Sequence, residues 1–183
     1  LKSGINLMAG VPSVVYGFFG LVLLVPLIKD TFVLRSGSTM LTASILLAIM
    51  ILPTVVGVIE PALESVPKSY YEGALALGAS HSKSVFFTIV PAAKSGIVAG
   101  VVLGIGRAVG ETMAVIMVAG NNTWMPQGLL EGVRTMTSNI VLEMGYASGL
   151  HREALIATGV VLFVFILIIN LCVSLLNRRR LHE

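Results

Sequence analysis

The chain has 183 residues, of which 56% are hydrophobic and only 11% are charged, and its mean hydropathy is +0.95. Soluble domains carry about a quarter charged residues, so this composition excludes an ordinary soluble domain and predicts an integral membrane protein. The net charge of +3 does not indicate nucleic-acid binding, because the Lys and Arg residues flank apolar stretches in the way the positive-inside rule describes.

Long apolar stretches predict an all-α, polytopic transmembrane helical bundle that forms a single domain over residues 1–183. A helix that crosses a bilayer needs roughly 20 predominantly apolar residues. Four stretches satisfy this requirement, at about 6–28, 40–59, 96–119 and 154–176. Four spans would put seven Lys and Arg residues on one side of the membrane and four on the other. The richer side is predicted to be cytoplasmic, and it holds the segment at 67–93 and the C-terminus.

The segment between the second and third predicted spans has the pattern of a helical hairpin. Pro67 favours a helix start, and Gly78 favours a helix end because glycine adopts the left-handed backbone conformation without strain. Ser80 is suited to cap a second helix, which Pro91 limits. These residues leave two interpretations open. The hairpin could dock on a cytoplasmic partner, or it could be a surface feature on which Glu72 is merely solvated.

Arg107 and Glu111 lie in the middle of the third predicted span. An ionisable group inside a bilayer is costly unless it is paired or hydrated, which makes it a candidate for a functional site. In a continuous helix the two residues are one turn apart, so an ion pair between them is predicted. Small residues on the same helix face indicate close packing against another helix, and they are Gly96, Gly100, Gly104, Gly106 and Gly110. The charged pair could line a path for an anion or form a static buried bridge.

The hairpin sequence resembles the EAA motif of ABC-importer permeases, E-A-A-x3-G-x9-I-x-L-P. The matching positions are Glu72, Ala74, Gly78 and Pro91, and the departures are Gly73, Thr88 and Val90. The run R-A-V-G-E-T-M-A-V, which begins at Arg107, resembles the corresponding helix of bacterial phosphate-importer permeases of the PstC type. This resemblance covers nearly the whole chain.

The resemblance implies a permease subunit of an ABC phosphate importer in the bacterial inner membrane, with its C-terminus in the cytoplasm. It implies that phosphate passes Arg107 and Glu111. The loop that would dock on the ATPase contains Glu72, Gly73, Ala74, Gly78 and Pro91. The implied partners are an ABC ATPase dimer, a PstA-like second permease and an extracytoplasmic phosphate-binding protein.

By the same resemblance the chain is not an enzyme, because ATP and Mg bind to the partner ATPase. We expect no cofactor, metal ion or nucleic acid to bind to this chain. Permeases of this kind usually have six spans, with two that precede the first span seen here. Two N-terminal spans are therefore expected to be missing.

Two alternative functions remain. The first keeps the protein class and changes the solute to molybdate, sulfate, phosphonate or an amino acid, because Arg107 favours an anion without choosing among oxyanions. The second is a membrane scaffold or sensor component that moves no solute. Such a component would tolerate the loss of Glu72 or Gly78, whereas a transporter would not.

Overall fold

The computed structural model describes residue 4 and residues 8–179, with side chains as far as Cys172. Within that part of the chain the structure is helical and contains no strand, which confirms the predicted fold class. The helices are α1 Ser13–Thr31, α2 Met40–Glu64, α3 Lys68–Ala76, α4 His81–Ala92, α5 Lys94–Gly110, α6 Met113–Val118, α7 Met136–Glu143 and α8 Gly149–Arg179.

Three of the described helices, α1, α2 and α8, are long and apolar enough to cross a membrane. A fourth crossing is counted if α4 and α5, which are bent by 71° relative to each other, form one broken span. The helices differ from the predicted spans at their ends, since α2 continues to Glu64 and α8 begins at Gly149. Residues 6 and 7 of the first predicted span lie outside the described residues.

The third predicted span is not a continuous helix. It divides into α5 and α6, which are separated at Glu111 and Thr112. Glu111 has extended backbone angles, with φ −69° and ψ 131°, so the helical hydrogen-bond ladder stops there. This interruption lies where the sequence places a charged residue directly after Gly110.

The hydrophobic core is formed where α1, α2 and α6 meet. Its buried side chains include Tyr16 of α1, Leu46 and Met50 of α2, and Val115 and Val118 of α6. By contrast, the apolar side chains of α8 are mostly exposed as far as Cys172, and only 6% of the most apolar stretch in that part of the helix is buried. Lipid or neighbouring subunits therefore have to cover α8.

Glycines bring α5 unusually close to α2. A Cβ atom at Gly100 would lie 2.7 Å from Cγ1 of Ile59, and one at Gly104 would lie 2.5 Å from Cγ2 of Val55. Gly96, at the start of the same stripe, approaches α2 equally closely. Any larger side chain at these positions would push the helices apart. The predicted role in close helix packing is confirmed for these three glycines, whereas a Cβ atom at Gly106 or Gly110 would contact nothing within 4 Å, so for those two the prediction is wrong.

The loop between α6 and α7 is anchored to the beginning of α2. The backbone N–H groups of Met40 and Leu41 donate to the carbonyl oxygens of Glu131 and Leu129, each at 2.8 Å. The first N–H groups of a helix have no partner within the helix, so these contacts satisfy donors that would otherwise lie unpaired. They fix the loop over the end of the bundle.

Candidate functional site

A Schellman turn at Gly78 joins the two helices of the predicted hairpin. Gly78 has a positive φ of 83°. Its N–H donates to the carbonyl of Leu75 at 2.9 Å, and the N–H of Ala79 donates to the carbonyl of Ala74 at 3.1 Å. These are the two bonds by which a left-handed glycine closes a helix. The structure thus confirms that Gly78 ends the first helix. We refer to α3, this turn and α4 (residues 68–92) as the coupling hairpin.

The coupling hairpin is also held together by side chains. The Tyr71 hydroxyl lies 2.7 Å from Nδ1 of His81, and the two rings meet edge to face with centroids 5.7 Å apart. The Ser80 hydroxyl accepts a bond from the N–H of Lys83, which confirms the predicted cap of α4. The Tyr71–His81 contact was not predicted, because the sequence interval of ten residues only becomes a contact once the turn at Gly78 reverses the chain.

The residues predicted to meet an ATPase lie at or near the surface of the coupling hairpin. Those that are exposed are Glu72, Gly73, Gly78 and Pro91, and Ala74 is partly buried. Pro91 does not end α4, which continues to Ala92. A wider π-helical turn at Val85–Ile89 precedes this proline, whose ring would otherwise crowd the preceding carbonyl groups.

Large apolar side chains are exposed on the same hairpin. Leu77 is 92% exposed, and Phe86 and Phe87 are 68% and 80% exposed. Side chains of this size are rarely left in water together unless a partner or the membrane covers them. The hairpin therefore combines a closed turn with an apolar surface that none of the described residues covers.

Arg107 lies near the end of α5 and reaches across to α2. Its Nη1 atom donates a hydrogen bond to Oγ1 of Thr54 at 2.6 Å. The close α2–α5 packing at Gly104 and Val55 places the two side chains within reach. Arg107 is exposed, and within the described residues the bond to Thr54 uses one of the five N–H donors of its guanidinium group.

Glu111 is positioned differently from the prediction. Its carboxylate accepts a hydrogen bond from the N–H of Ala114 at 3.1 Å, at the beginning of α6. Its backbone carbonyl accepts a bond from the Thr137 hydroxyl at 3.1 Å, which links the helix break to α7. In the described part of the chain Glu111 and Arg107 therefore bond to different groups, and the predicted one-turn ion pair is not formed. The prediction assumed a continuous helix, and the helix ends at Gly110.

A charged cluster that the sequence did not reveal lies around α7. Arg134 Nη1 and Glu143 Oε1 form an ion pair at 2.6 Å, and Arg134 also bonds to Asn139. The Tyr146 hydroxyl donates to the same carboxylate at 2.5 Å. These two hydrogen bonds, from Tyr146 first and then from Arg134, lower the pKa of Glu143 below its ordinary value of 4.5. The same bond to Glu143 raises the pKa of Tyr146.

Comparison with known proteins identifies a family and several relatives. The family described as "Binding-protein-dependent transport system inner membrane component" matches residues 1–182. The chain is 39% identical over 182 residues to the probable ABC transporter permease protein YqgH of Bacillus subtilis (strain 168), covering 98% of this chain and 59% of that protein. It is 34% identical over 181 residues to the phosphate transport system permease protein PstC of Pasteurella multocida (strain Pm70), covering 88% and 57%.

A second PstC protein, from Haemophilus influenzae, is 34% identical over 183 residues, covering 90% of this chain and 58% of that protein. The chain thus spans less than two thirds of the length of these curated relatives. No solved structure matches the chain. Because one family matches almost every residue and three relatives exceed 30% identity, the chain belongs to the family of binding-protein-dependent transport system inner membrane components.

Proposed function

We propose that this chain is part of a permease that carries inorganic phosphate across the bacterial inner membrane, driven by ATP hydrolysis on a separate ATPase. Family membership and the PstC relatives support this function. The partners that we propose are an ABC ATPase dimer, a PstA-like permease and an extracytoplasmic phosphate-binding protein. The chain itself carries out no hydrolysis and binds no cofactor.

The observation that carries the proposal is that Arg107 forms a hydrogen bond with a neutral side chain and not an ion pair with Glu111. A guanidinium group keeps its charge at any physiological pH and has a planar set of donors that matches phosphate oxygens. Its hydrogen-bond partner in the structure, Thr54, is neutral, so the contact fixes the side chain without cancelling the charge. The Glu111 carboxylate bonds to Ala114 instead. Arg107 therefore attracts an anion more strongly than the predicted ion pair would.

Glu111 has a different proposed role from the one expected of an ion-pair partner. Its carboxylate holds the first turn of α6, and its carbonyl is bonded to Thr137 of α7. Both contacts stabilise the break in the helix that follows Arg107. We assign Glu111 to the anion path as the residue that maintains this break, while Arg107 contacts the anion.

The coupling hairpin supplies the connection to ATP hydrolysis. Its exposed apolar side chains and Glu72 provide a surface for the ATPase, and α4 leads into α5 through a bend of 71°. Since only Ala93 separates these two helices, a displacement of the hairpin passes directly to the helix that carries Arg107. This arrangement would link events on the ATPase to the proposed anion site.

The test of the proposal is phosphate uptake by a transport-deficient bacterium that expresses the full-length permease with its partners. Arg107→Gln should lower the uptake rate at least roughly tenfold, because charge-assisted hydrogen bonds to the anion are lost. Arg107→Lys keeps the charge but not the planar fork, and should retain an intermediate rate. Arg152→Gln, at the outer end of α8, is the matched control and should transport normally.

Membrane abundance and co-purification with the ATPase are measured for every variant. Unchanged uptake by Arg107→Gln at normal abundance would remove Arg107 from the anion path. If the unmutated permease moved no phosphate, the solute assignment would be wrong. Uptake of labelled sulfate or molybdate in the same cells would then identify another oxyanion as the substrate.

A further inference from the structure

We infer that Thr54 is a positioning residue for the anion site, acting through Arg107. This inference rests on the proposed function. The 2.6 Å bond from Arg107 Nη1 to Thr54 Oγ1 joins residues 53 positions apart in the chain. It is the contact between α2 and α5 that orients the guanidinium group.

The backbone around Thr54 makes it a firm anchor. A Cβ atom at Gly104 would lie 2.5 Å from Cγ2 of its neighbour Val55, and one at Gly100 would lie 3.2 Å from the Val55 carbonyl oxygen and 2.7 Å from Cγ1 of Ile59, so neither glycine could carry a side chain without displacement. The distance between α2 and α5 is therefore fixed at this level. A β-branched side chain such as threonine also has few available χ1 rotamers. A rigid acceptor on α2 thus faces a long, flexible donor on α5, and the bond restricts the arginine.

The chemistry of the hydroxyl group suits this position better than a carboxylate would. A threonine hydroxyl can accept one hydrogen bond and donate another. By accepting from Arg107 it orients the cation without neutralising it, and its own proton remains available for an oxygen atom of the anion. A carboxylate at the same position would repel the anion and cancel the charge of the arginine. Thr54 therefore fixes the direction in which the remaining guanidinium donors point.

The experiment compares Thr54→Val and Thr54→Ser in the full-length permease, expressed with its ATPase, second permease and binding protein. Valine keeps the shape of threonine and removes the hydroxyl, whereas serine keeps the hydroxyl and removes the methyl group. Uptake of labelled phosphate gives Vmax per permease, normalised to membrane abundance, together with KM. Thr31→Val is the matched control, because the Thr31 hydroxyl bonds only to the carbonyl of Leu27 in its own helix.

We expect Thr54→Val to lower Vmax roughly tenfold, as the loss of a hydrogen bond to a charged group predicts. Thr54→Ser should stay near the unmutated rate. KM should change little in either variant, because the extracytoplasmic binding protein captures phosphate first. A normal Vmax in Thr54→Val would overturn the inference. An equal loss in Thr54→Ser would also overturn it, since packing rather than the hydroxyl would then be responsible.

Arg107→Gln is measured alongside these variants to separate two kinds of failure. If Arg107→Gln transports normally, the proposed anion site itself is wrong. If Arg107→Gln loses uptake while Thr54→Val does not, only the positioning role of Thr54 fails. The proposed function then stands without it.

Discussion

Glu143 is the residue whose charge state is most directly tied to local structure. Its carboxylate accepts hydrogen bonds from Tyr146 and Arg134, and His151 Nε2 lies 3.5 Å away. These contacts lower the pKa of Glu143. A carboxylate with a lowered pKa in the folded state contributes stability above its ordinary pKa. That contribution is lost as the pH falls through the lowered value.

We therefore predict that the outer segment around α7 loosens in acid. In the purified full-length complex, hydrogen exchange of the α7 amides should be slow at pH 7. After correction for intrinsic rates, it should accelerate as the pH falls below 4.5, the ordinary pKa of the carboxyl group, and through the lowered pKa of Glu143. Glu143→Gln should exchange faster than the unmutated protein at pH 7 and show a weaker pH dependence. Glu153→Gln, an exposed substitution at the start of α8, should behave like the unmutated protein. Equal protection of α7 at both pH values would contradict this prediction.

For individual residues, the sequence showed which side chains carry charge but not which atoms they bind. Arg107 and Glu111 were singled out because ionisable groups are rare in apolar spans. Their spacing suggested a mutual bond. Thr54 gave no signal, because one threonine in an apolar helix is unremarkable and its contact with Arg107 depends on tertiary packing. The cluster around Glu143 likewise depends on how the segments on both sides of α7 fold back on it, which brings Arg134 and Tyr146 to the same carboxylate.

The shape of the coupling hairpin depends on the turn at Gly78. At its φ of 83°, a residue with a Cβ atom is strained by roughly 1–2 kcal/mol, and a β-branched residue by more. A Cβ atom built at this position contacts nothing within 4 Å, so the penalty is conformational and not steric. Asparagine tolerates the left-handed conformation far better than valine does.

We predict that Gly78→Val weakens association with the ATPase, whereas Gly78→Asn preserves most of it. The measurement is co-purification of the ATPase with the tagged full-length permease, followed by phosphate uptake. The two side chains are similar in size, so the comparison separates backbone strain from obstruction of the surface. Equal losses in both variants would show that bulk at this position is what matters.

The helix elements were predictable to the extent that local patterns determine them. The hairpin was predicted correctly from Gly78 and Ser80, because turn and cap residues act within a few positions of each other. The break at Glu111 was missed, since apolar residues continue on both sides of it and hydropathy does not register one interrupted turn. Hydrogen bonds from Ala114 and Thr137 stabilise it, and Thr137 is 26 residues away.

The order of elements along the whole molecule suggests how it is oriented. The coupling hairpin follows the end of α2, and the loop between α6 and α7 contacts the beginning of α2. These two segments therefore lie at opposite ends of a membrane-spanning helix. The distribution of Lys and Arg predicts that the hairpin end faces the cytoplasm. Helix α8 starts beside α7, at the opposite end of the bundle, so its other end is expected in the cytoplasm.

Cysteine labelling of the full-length permease tests this orientation. Thr123→Cys and Ser82→Cys are introduced separately after Cys172→Ser, at positions that are exposed in the structure. A membrane-impermeant maleimide should label Thr123→Cys in intact spheroplasts. It should label Ser82→Cys only after permeabilisation, in cells that lack the ATPase and so leave the hairpin uncovered. Labelling of Ser82→Cys in intact spheroplasts would reverse the proposed orientation.

The interruption between α5 and α6 has a mechanical consequence. Helix α5 has 17 residues, so it extends for about 25 Å from the bend beside the hairpin to the interruption. If it tilted by about 10° about the interrupted end, the hairpin end would travel about 4 Å. The backbone of Arg107, only three residues from the interrupted end at Gly110, would move by about 0.8 Å. A displacement of about 4 Å at the hairpin would thereby become, at Arg107, a displacement comparable with the variation in length of one hydrogen bond.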